Sequence, residues 1–241
     1  MKKAVVIGAT SGIGRSLVYT LHEQQYIVGA TGRRLELLKS LENDISSNFY
    51  IQQQDVTNTD GAIDQLNELI GKMGGLDLII INAGIGNNNK DYLWEIERNT
   101  IDVNIRGFVA MANTAFNYFL SKNNGNGHIV GISSVASHFS FGKATAYNAS
   151  KAFVSNYLKG LRFKAHQFNT DITITDIKPG FVETPLTRNN RGMFWVISSE
   201  RAARLIYKAV KRRDYGTYIP GRWWIIARLL PIIPDWIKRN I

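Results

Sequence analysis

In the segment Ala146–Lys151, AYNASK, a tyrosine stands four residues before a lysine. On a helix the two side chains lie one turn apart on the same face. An ammonium placed there could lower the pKa of the phenol, whose ordinary value of about 10 hinders proton exchange at neutral pH. The same pair would also suit a plain solvated helix face. Its meaning depends on what other segments bring to it.

A second chemical signal is Gly8-Ala9-Thr10-Ser11-Gly12-Ile13-Gly14, between the apolar run KAVVIG and a helical pattern. Glycines in such a turn let the backbone approach a pyrophosphate, which rests on free N–H groups at the helix N-terminus. The spacing is GxxxGxG, not GxGxxG, and the strand–turn–helix context favours nucleotide binding over an ordinary tight turn. Further on, ATGRRLE offers no carboxylate before Glu36 to take a ribose 2′-hydroxyl; it offers Arg33 and Arg34. A guanidinium matches a 2′-phosphate in charge and fork geometry. Cations at the start of a helix want an anionic partner. The expected cofactor is NADP in preference to NAD, the preference resting on Arg33 with Arg34 and the Thr10 and Ser11 hydroxyls assisting.

These residues need elements to hold them. KAVVIG, YIVGATG, NFYIQQQDV, LDLIIINAG, GHIVGISS and DITITDIKPG read as strands, with helical spacing between them. A long helix is expected from about Thr100 to Lys122, with Phe108, Ala112, Ala115 and Phe119 along one stripe. Another covers AYNASKAFVSNYLKGLRFKAHQF. This repetition predicts an α/β fold, a doubly wound parallel sheet flanked by helices on both faces. Ligands of such sheets bind beyond the carboxyl ends of the strands, where the glycine loop falls. With 241 residues and no linker, low-complexity tract or short repeat, one domain is expected.

Composition narrows the chemistry. The absence of cysteine excludes disulfides, thiolate catalysis and cysteine-ligated metals, and fits a cytoplasmic protein. His22, His128, His138 and His166 show no metal-ligand spacing, so no metal site is expected. MKKAVVIGATSGIG has two lysines before an apolar run, but Thr10, Ser11 and Gly12 break that run too early for a signal peptide. The net charge is +10, and residues 201–241 hold ten Lys/Arg against Asp214 and Asp235. Such a tail could meet nucleic acid, an anionic membrane surface or only solvent. No nucleic-acid motif accompanies it, and no nucleic-acid partner is expected.

In order along the chain, GATSGIG, QQDV, INAG, DVNIRG, GISSVAS, YNASK and KPGFVETP resemble the motifs of the short-chain dehydrogenase/reductase (SDR) family, over roughly residues 3–185. The resemblance implies a single Rossmann domain and an NAD(P)-dependent oxidoreductase that interconverts a ketone or aldehyde and an alcohol by hydride transfer. It makes Tyr147 and Lys151 the catalytic pair, with Ser134 thirteen positions before the tyrosine and Asn104 as the fourth member. Tyr147 would donate the proton, Lys151 would hold the nicotinamide ribose, Ser134 would bind the substrate oxygen and Asn104 would seat a water. Ser133 could exchange roles with Ser134 if the register differs. For the cofactor, the resemblance implies Gly8, Thr10, Ser11, Gly12, Ile13 and Gly14 at the pyrophosphate, with Arg33 and Arg34 at the adenosine ribose. It further implies Asp55 and Val56 at the adenine, and Asn82, Ala83 and Gly84 along the lining turn. Pro179, Gly180, Val182 and Thr184 would flank the nicotinamide half, which Tyr147 and Lys151 also touch.

Beyond residue 185 the family pattern fades. Residues 186–221 read as a substrate loop, a helix capped near Ser198–Ser199 and a last strand; residues 222–241 form a basic apolar tail. Phe139, Phe141, Phe181, Met193, Phe194 and Trp195 could line a greasy pocket or belong to the core. The expectation is an NADPH-dependent reductase of a hydrophobic carbonyl compound. The tail GRWWIIARLLPIIPDWIKRNI is interrupted by Arg228, Pro231 and Pro234 and is too short to span a bilayer. It could cover the substrate loop, pack in an oligomer, or lie peripherally among membrane headgroups. The resemblance implies a homodimer or homotetramer through helices near 100–122 and 146–168. Phe108, Phe116, Phe119, Phe153, Tyr157, Leu161 and Phe168 exceed what one sheet face needs. A rival reading, a cofactor-sensing regulator without catalysis, predicts a broken tetrad, whereas Asn104, Ser134, Tyr147 and Lys151 are all present.

Overall fold

A computed structural model describes residues 1–86, 88–140, 142–188, 190 and 192–232. Phe141 and the part of the tail beyond Ile232 lie outside the described residues. Strand β1 (Lys3–Ile7) leads into α1 (Gly12–Glu23), β2 (Ile27–Gly32) into α2 (Leu35–Asp44), and β3 (Phe49–Gln53) into α3 (Thr59–Met73). After β4 (Leu78–Ile81) comes a helical path in three parts: α4 (Trp94–Ile101), a wide π turn (Asp102–Gly107) and α5 (Phe108–Lys122). Then follow β5 (Asn126–Ile132), α6 (Thr145–Gln167) and β6 (Asp171–Pro179). The chain continues through β7 (Val182–Glu183), β8 (Ile197–Ser198), α7 (Ser199–Arg212), β9 (Gly216–Ile219) and α8 (Trp223–Leu229).

Seven strands form one parallel sheet in the order β3-β2-β1-β4-β5-β6-β9, the doubly wound α/β arrangement that the strand–helix alternation predicts. Successive side chains of a strand point to opposite faces, so each apolar strand feeds two cores. Val5, Ile7, Ile79 and Ile81 face the layer that holds α3, α5 and α6, where Leu66, Leu69, Phe119 and Leu158 are buried. Their neighbours Ala4, Val6, Leu78 and Ile80 face α1, α2 and α7, packing with Leu17, Leu21, Leu38 and Ile206.

Local signals set the helix ends. Asn58 caps α3 by accepting from Gly61 N, and Gly74 closes that helix at φ 70°. The Ser198 hydroxyl accepts from Arg201 N at 3.3 Å and starts α7 where the Ser198–Ser199 signal places it. Three features differ from the sequence expectation. The long helix begins at Trp94, six residues before Thr100, and widens into the π turn at Asp102–Gly107. The β7–β8 pair went unread because two residues per strand carry no periodicity. Third, the surplus invoked for oligomerisation shrinks, because Phe108, Phe116, Phe119 and Leu161 are buried in the chain's own core. Phe153 and Phe168 remain exposed, joined by Phe163, while Tyr157 stacks on Phe153 at 5.8 Å between centroids.

Phe119 fills the space over Gly127, where a Cβ would collide with its ring. Replacing Phe119 by Ala is expected to cost about 3–5 kcal/mol, from lost transfer energy plus a residual cavity. Urea unfolding followed by far-UV circular dichroism measures this; a loss below about 1 kcal/mol would show that the site collapses around the vacancy.

Candidate active site

The sheet order reverses beside β1, which sits between β2 and β4, and a crevice opens there at the carboxyl ends of the strands. A groove of about 690 Å³ occupies it, running from Arg33 and Asp55 past the glycine turn to Ser134, Tyr147 and Leu186. Gly8 holds φ +82°, and a Cβ on it would stand 2.7 Å from Ala83 N; Gly12 holds φ +53°, with Thr184 Cγ2 2.8 Å from such an atom. Asn82 Nδ2 donates to Gly8 O at 2.8 Å and pins the turn, while Ile13 and Gly14 begin the helix. Ser11 at the N-cap makes no side-chain cap bond, and no acidic residue enters the first turn of α1. The helix start therefore presents open N–H groups and partial positive charge to an anion.

At the adenosine end, Arg34 Nη2 donates to Thr10 Oγ1 at 2.7 Å and Ser11 Oγ at 2.9 Å. Arg33 is exposed on the groove wall, its carbonyl accepting from Gln53 Nε2 at 3.0 Å. Between the two arginines, only Arg34 is thus tied to the hydroxyls of the glycine turn. Asp55 Oδ1 accepts from Thr57 N and Thr57 Oγ1, and Val56 packs against Gly107. Thr31 and Gln54 also line the groove, joined by a 2.7 Å hydrogen bond. The sequence reading passed over both, although the polar QQQ run ahead of Asp55 was a signal. These residues, the glycine cradle and the open helix start fit a dinucleotide.

Further along, Ser134, Tyr147 and Lys151 line the same groove, and Asn104 stands beside it. Lys151 is 6% exposed; its Nζ donates to Ile132 O at 3.0 Å and lies 5.8 Å from the centre of the Tyr147 ring. Burial pushes its ammonium down to about 8, against the pull of Asp176 toward the charged form. Tyr147 shifts opposite to the expectation for a phenol beside a lysine: burial raises it, and the hydrogen bond with Ser134 lowers it only in part. The Lys151 ammonium points at a strand carbonyl rather than at the phenol oxygen, so desolvation dominates. Ser133 and Ser134 diverge. Ser134 meets Tyr147, whereas Ser133 Oγ turns behind the strand to Asp176.

Asn104, on the π turn, accepts from Ile85 N at 2.8 Å through Oδ1 and donates to Ile85 O at 2.8 Å and Ser150 Oγ at 3.0 Å. A water expected at Asn104 is left with the remaining lone pair of Oδ1. The π turn inserts an extra residue into the helix and aims this amide at the β4 loop and α6 together. Ile85 and Gly86 follow the INAG motif with no pattern of their own, and Ser150 lies inside YNASK without a role that its position alone indicates. A Cβ on Gly86 would stand 2.7 Å from the Tyr147 ring.

At the other end, Pro179, Gly180, Val182, Thr184 and Leu186 line the groove. The aromatic residues Phe181, Phe194 and Trp195 gather on Trp223, with centroids 5.4, 5.0 and 5.7 Å from it. None of the four lines the groove; the Trp223 indole is buried and fills the space that a side chain at Gly180 would need. Among the described residues no cluster of His, Cys, Asp and Glu could hold a metal ion.

A family model described as short chain dehydrogenase matches residues 2–193. An uncharacterized oxidoreductase of Myxococcus xanthus is 33% identical over 240 residues, covering 97% of this chain and 93% of that protein. The NADP-dependent 3-hydroxy acid dehydrogenase YdfG of Escherichia coli is 33% identical over 181 residues, 74% of this chain and 71% of that one. Among solved structures, the closed form of serine dehydrogenase complexed with NADP+ superposes with a TM-score of 0.77 at 28% identity, over 86% of this chain and 88% of that one.

Proposed function

The chain belongs to the short chain dehydrogenase family, an NAD(P)-dependent oxidoreductase acting on CH–OH groups, and we propose that it works as an NADPH-dependent reductase of a hydrophobic carbonyl compound. The observation that carries this reading is the meeting of Ser134, Tyr147 and Lys151 at one end of a groove whose other end holds Arg33 and Arg34. In this reading residues 1–185 are the cofactor and catalytic core, 186–221 the substrate loop, helix and last strand, and 222–241 an accessory tail.

When bound, the nicotinamide cofactor supplies the hydride. The chain's own residues do the rest. A carbonyl that accepts hydride develops negative charge on oxygen and needs a proton donor and a hydrogen bond. Tyr147 holds that proton at its phenol oxygen, and Ser134 Oγ orients both phenol and substrate oxygen. Lys151 would donate to the ribose hydroxyls, its ammonium held in place by the bond to Ile132 O. Asn104 keeps Ile85 and α6 in register, so that the groove holds its width at Lys151.

The apolar cluster of Phe181, Phe194, Trp195 and Trp223, packed behind Gly180 of the groove wall, supports an apolar substrate. A second reading, a small hydroxy acid, is supported by the similarity to YdfG and to serine dehydrogenase. Following NADPH and NADP absorbance with hydrophobic ketones and alcohols, 3-hydroxy acids and serine separates the two. Exchanging Tyr147 for Phe should lower kcat at least about a hundredfold while leaving NADPH affinity within about twofold; retained turnover would remove the proton-donor role.

NADP preference rests on Arg34 at the glycine turn, with Arg33 beside it and no carboxylate between Thr31 and Leu35. Arg34→Ala is expected to weaken NADPH about ten- to a hundredfold, the loss of one charge-assisted contact of about 1.5–3 kcal/mol, and NADH much less. Equal losses in paired titrations would return both arginines to a solvated role.

Two partner readings follow from exposed surface. Phe153 and Phe163 on α6, with Phe168 just after it, leave apolar area that closed pairing of two or four copies would bury. On α8, Trp223 and Ala227 face inward while Trp224, Ile225 and Leu229 face out, with Arg228 over the Trp224 ring and Arg222 over Trp195. Exposed indoles and aliphatics with arginines and no carboxylate between Tyr215 and Ile232 suit an anionic lipid surface better than a second copy of the same cationic face. Among the described residues no helix is long and apolar enough to cross a membrane, so the contact is peripheral. The protein should sediment with phosphatidylglycerol vesicles and not with phosphatidylcholine ones, and Trp224→Ser with Leu229→Ser should abolish this. If those changes lowered the mass in light scattering and left sedimentation intact, the face would belong to an oligomer.

A further inference from the structure

Behind the groove, Asp176 on β6 is 1% exposed and its charge has no role in the mechanism above. Its Oδ1 accepts from Ser133 Oγ; its Oδ2 accepts from Ser155 Oγ at 2.5 Å and pairs with Lys178 Nζ. A carboxylate buried that deeply requires partners on both oxygens. Two of these partners come from elements that also carry the candidate catalytic groups, the end of β5 and α6, while Lys178 shares β6 with Asp176 itself. Ser133 precedes Ser134 at the end of β5, and its N–H donates to Ile177 O at 2.8 Å. Ser155 follows Lys151 by four residues on α6, one turn along the same face.

We propose that Asp176, with Lys178 as its counterweight, is a positioning residue that keeps Lys151 charged and holds it and Ser134 in register from behind the sheet. The inference rests on the role given to Lys151 under Proposed function. The Lys151 ammonium is buried, and the hydrogen bond it makes among the described residues goes to a neutral carbonyl, Ile132 O. Asp176 supplies the negative charge that favours its ammonium against desolvation. Other groups around the carboxylate are Arg162 on α6, Lys178 and the Tyr218–His138 pair, whose Oη and Nε2 lie 3.0 Å apart. Arg228 of α8 acts on that pair, and Tyr215 lies 5.9 Å from Arg162. Lys178 sits on the carboxylate and lies 5.9 Å from the centre of the Tyr218 ring, so it attenuates the charge that reaches Lys151.

The signs of the effect are opposed, and that makes the test sharp. A lysine loses its charge as pH rises through its pKa, and with it the ability to donate to ribose as a cation. NADPH affinity of the wild-type chain should therefore fall as pH passes about 8. Asp176→Asn keeps one acceptor oxygen, turns its NH2 toward the other serine, whose hydroxyl can accept, and removes the charge, so the fall should move to lower pH, by about one unit. Lys178→Met removes the counterweight and should move the fall upward by a similar amount. The double variant should return close to wild type, and all four proteins should bind NADPH alike well below the fall. Fluorescence titration of NADPH across pH, with kcat measured in parallel, reads these shifts.

A scaffold role alone predicts equal weakening at every pH with no opposed displacement, and that result would overturn the proposal. Should Asp176→Asn fail to fold, the direction of the Lys178→Met shift decides: no shift or a downward one overturns the pair's role. Lys151→Met is the control for the underlying reading. If the alkaline fall survives that change, the role of Lys151 itself fails; if it disappears while the Asp176 and Lys178 variants stay unshifted, only the present inference fails.

Discussion

The hydrogen bond from Lys151 Nζ to Ile132 O joins α6 to the end of β5, and much of the site is arranged around it. An ammonium taken out of water is costly unless its surroundings compensate. The chain meets that constraint with space and with polar neighbours. A Cβ on Gly84 would stand 3.1 Å from Lys151 Nζ and 3.4 Å from Asn104 Oδ1, so glycine is what lets the β4 loop come close. Asn104 binds that loop from the π turn, and Ser150 links the same amide to α6. Loosening any of these contacts would change the distance between the lysine and the groove.

The dinucleotide end relies on a different economy. In the proposed reading the backbone itself would hold the dinucleotide, so the requirement is absence: no Cβ at Gly8, Gly12 or Gly14, and no side-chain cap on α1. Parallel strands deliver this geometry because all their carboxyl ends lie on one edge of the sheet, and the order reverses where β1 separates β2 from β4. Arg34 shows how a side chain can still take part. It reaches back over Thr10 and Ser11 from the N-cap of α2, where its charge is unfavourable to the helix and available to an anion.

Around Gly180, packing of apolar rings replaces hydrogen bonding. Trp223 is buried among Phe181, Phe194 and Trp195, and among the described residues its indole nitrogen has no hydrogen-bond partner. Such an orphaned donor costs free energy, which the surrounding ring contacts must offset. The cluster ties the segment around β7 to α8, so the backing of Gly180 depends on residues some thirty positions apart in the chain. Its outer side leaves Trp224, Ile225 and Leu229 in solvent.

The sequence by itself determined the doubly wound sheet, because apolar strands alternating with helical spacing have few other ways to bury both faces. It also determined the family, through ordered motifs, and the place of the glycine turn, through the strand that enters it and the helix that leaves it. Those properties are local or periodic, and a chain read in order carries them. Only the tertiary structure decided which serine meets Tyr147, since Ser133 and Ser134 are adjacent and just their directions from the strand end differ. It alone turned Asn104 inward through the π turn, raised Tyr147 by burial and tied Arg34 to the glycine turn. It alone placed Phe108, Phe116 and Phe119 in the core instead of on an interface, and Asp176 beneath the serines. Each of these depends on desolvation or on contact between residues far apart in the chain, and neither quantity is written in the spacing of residue types.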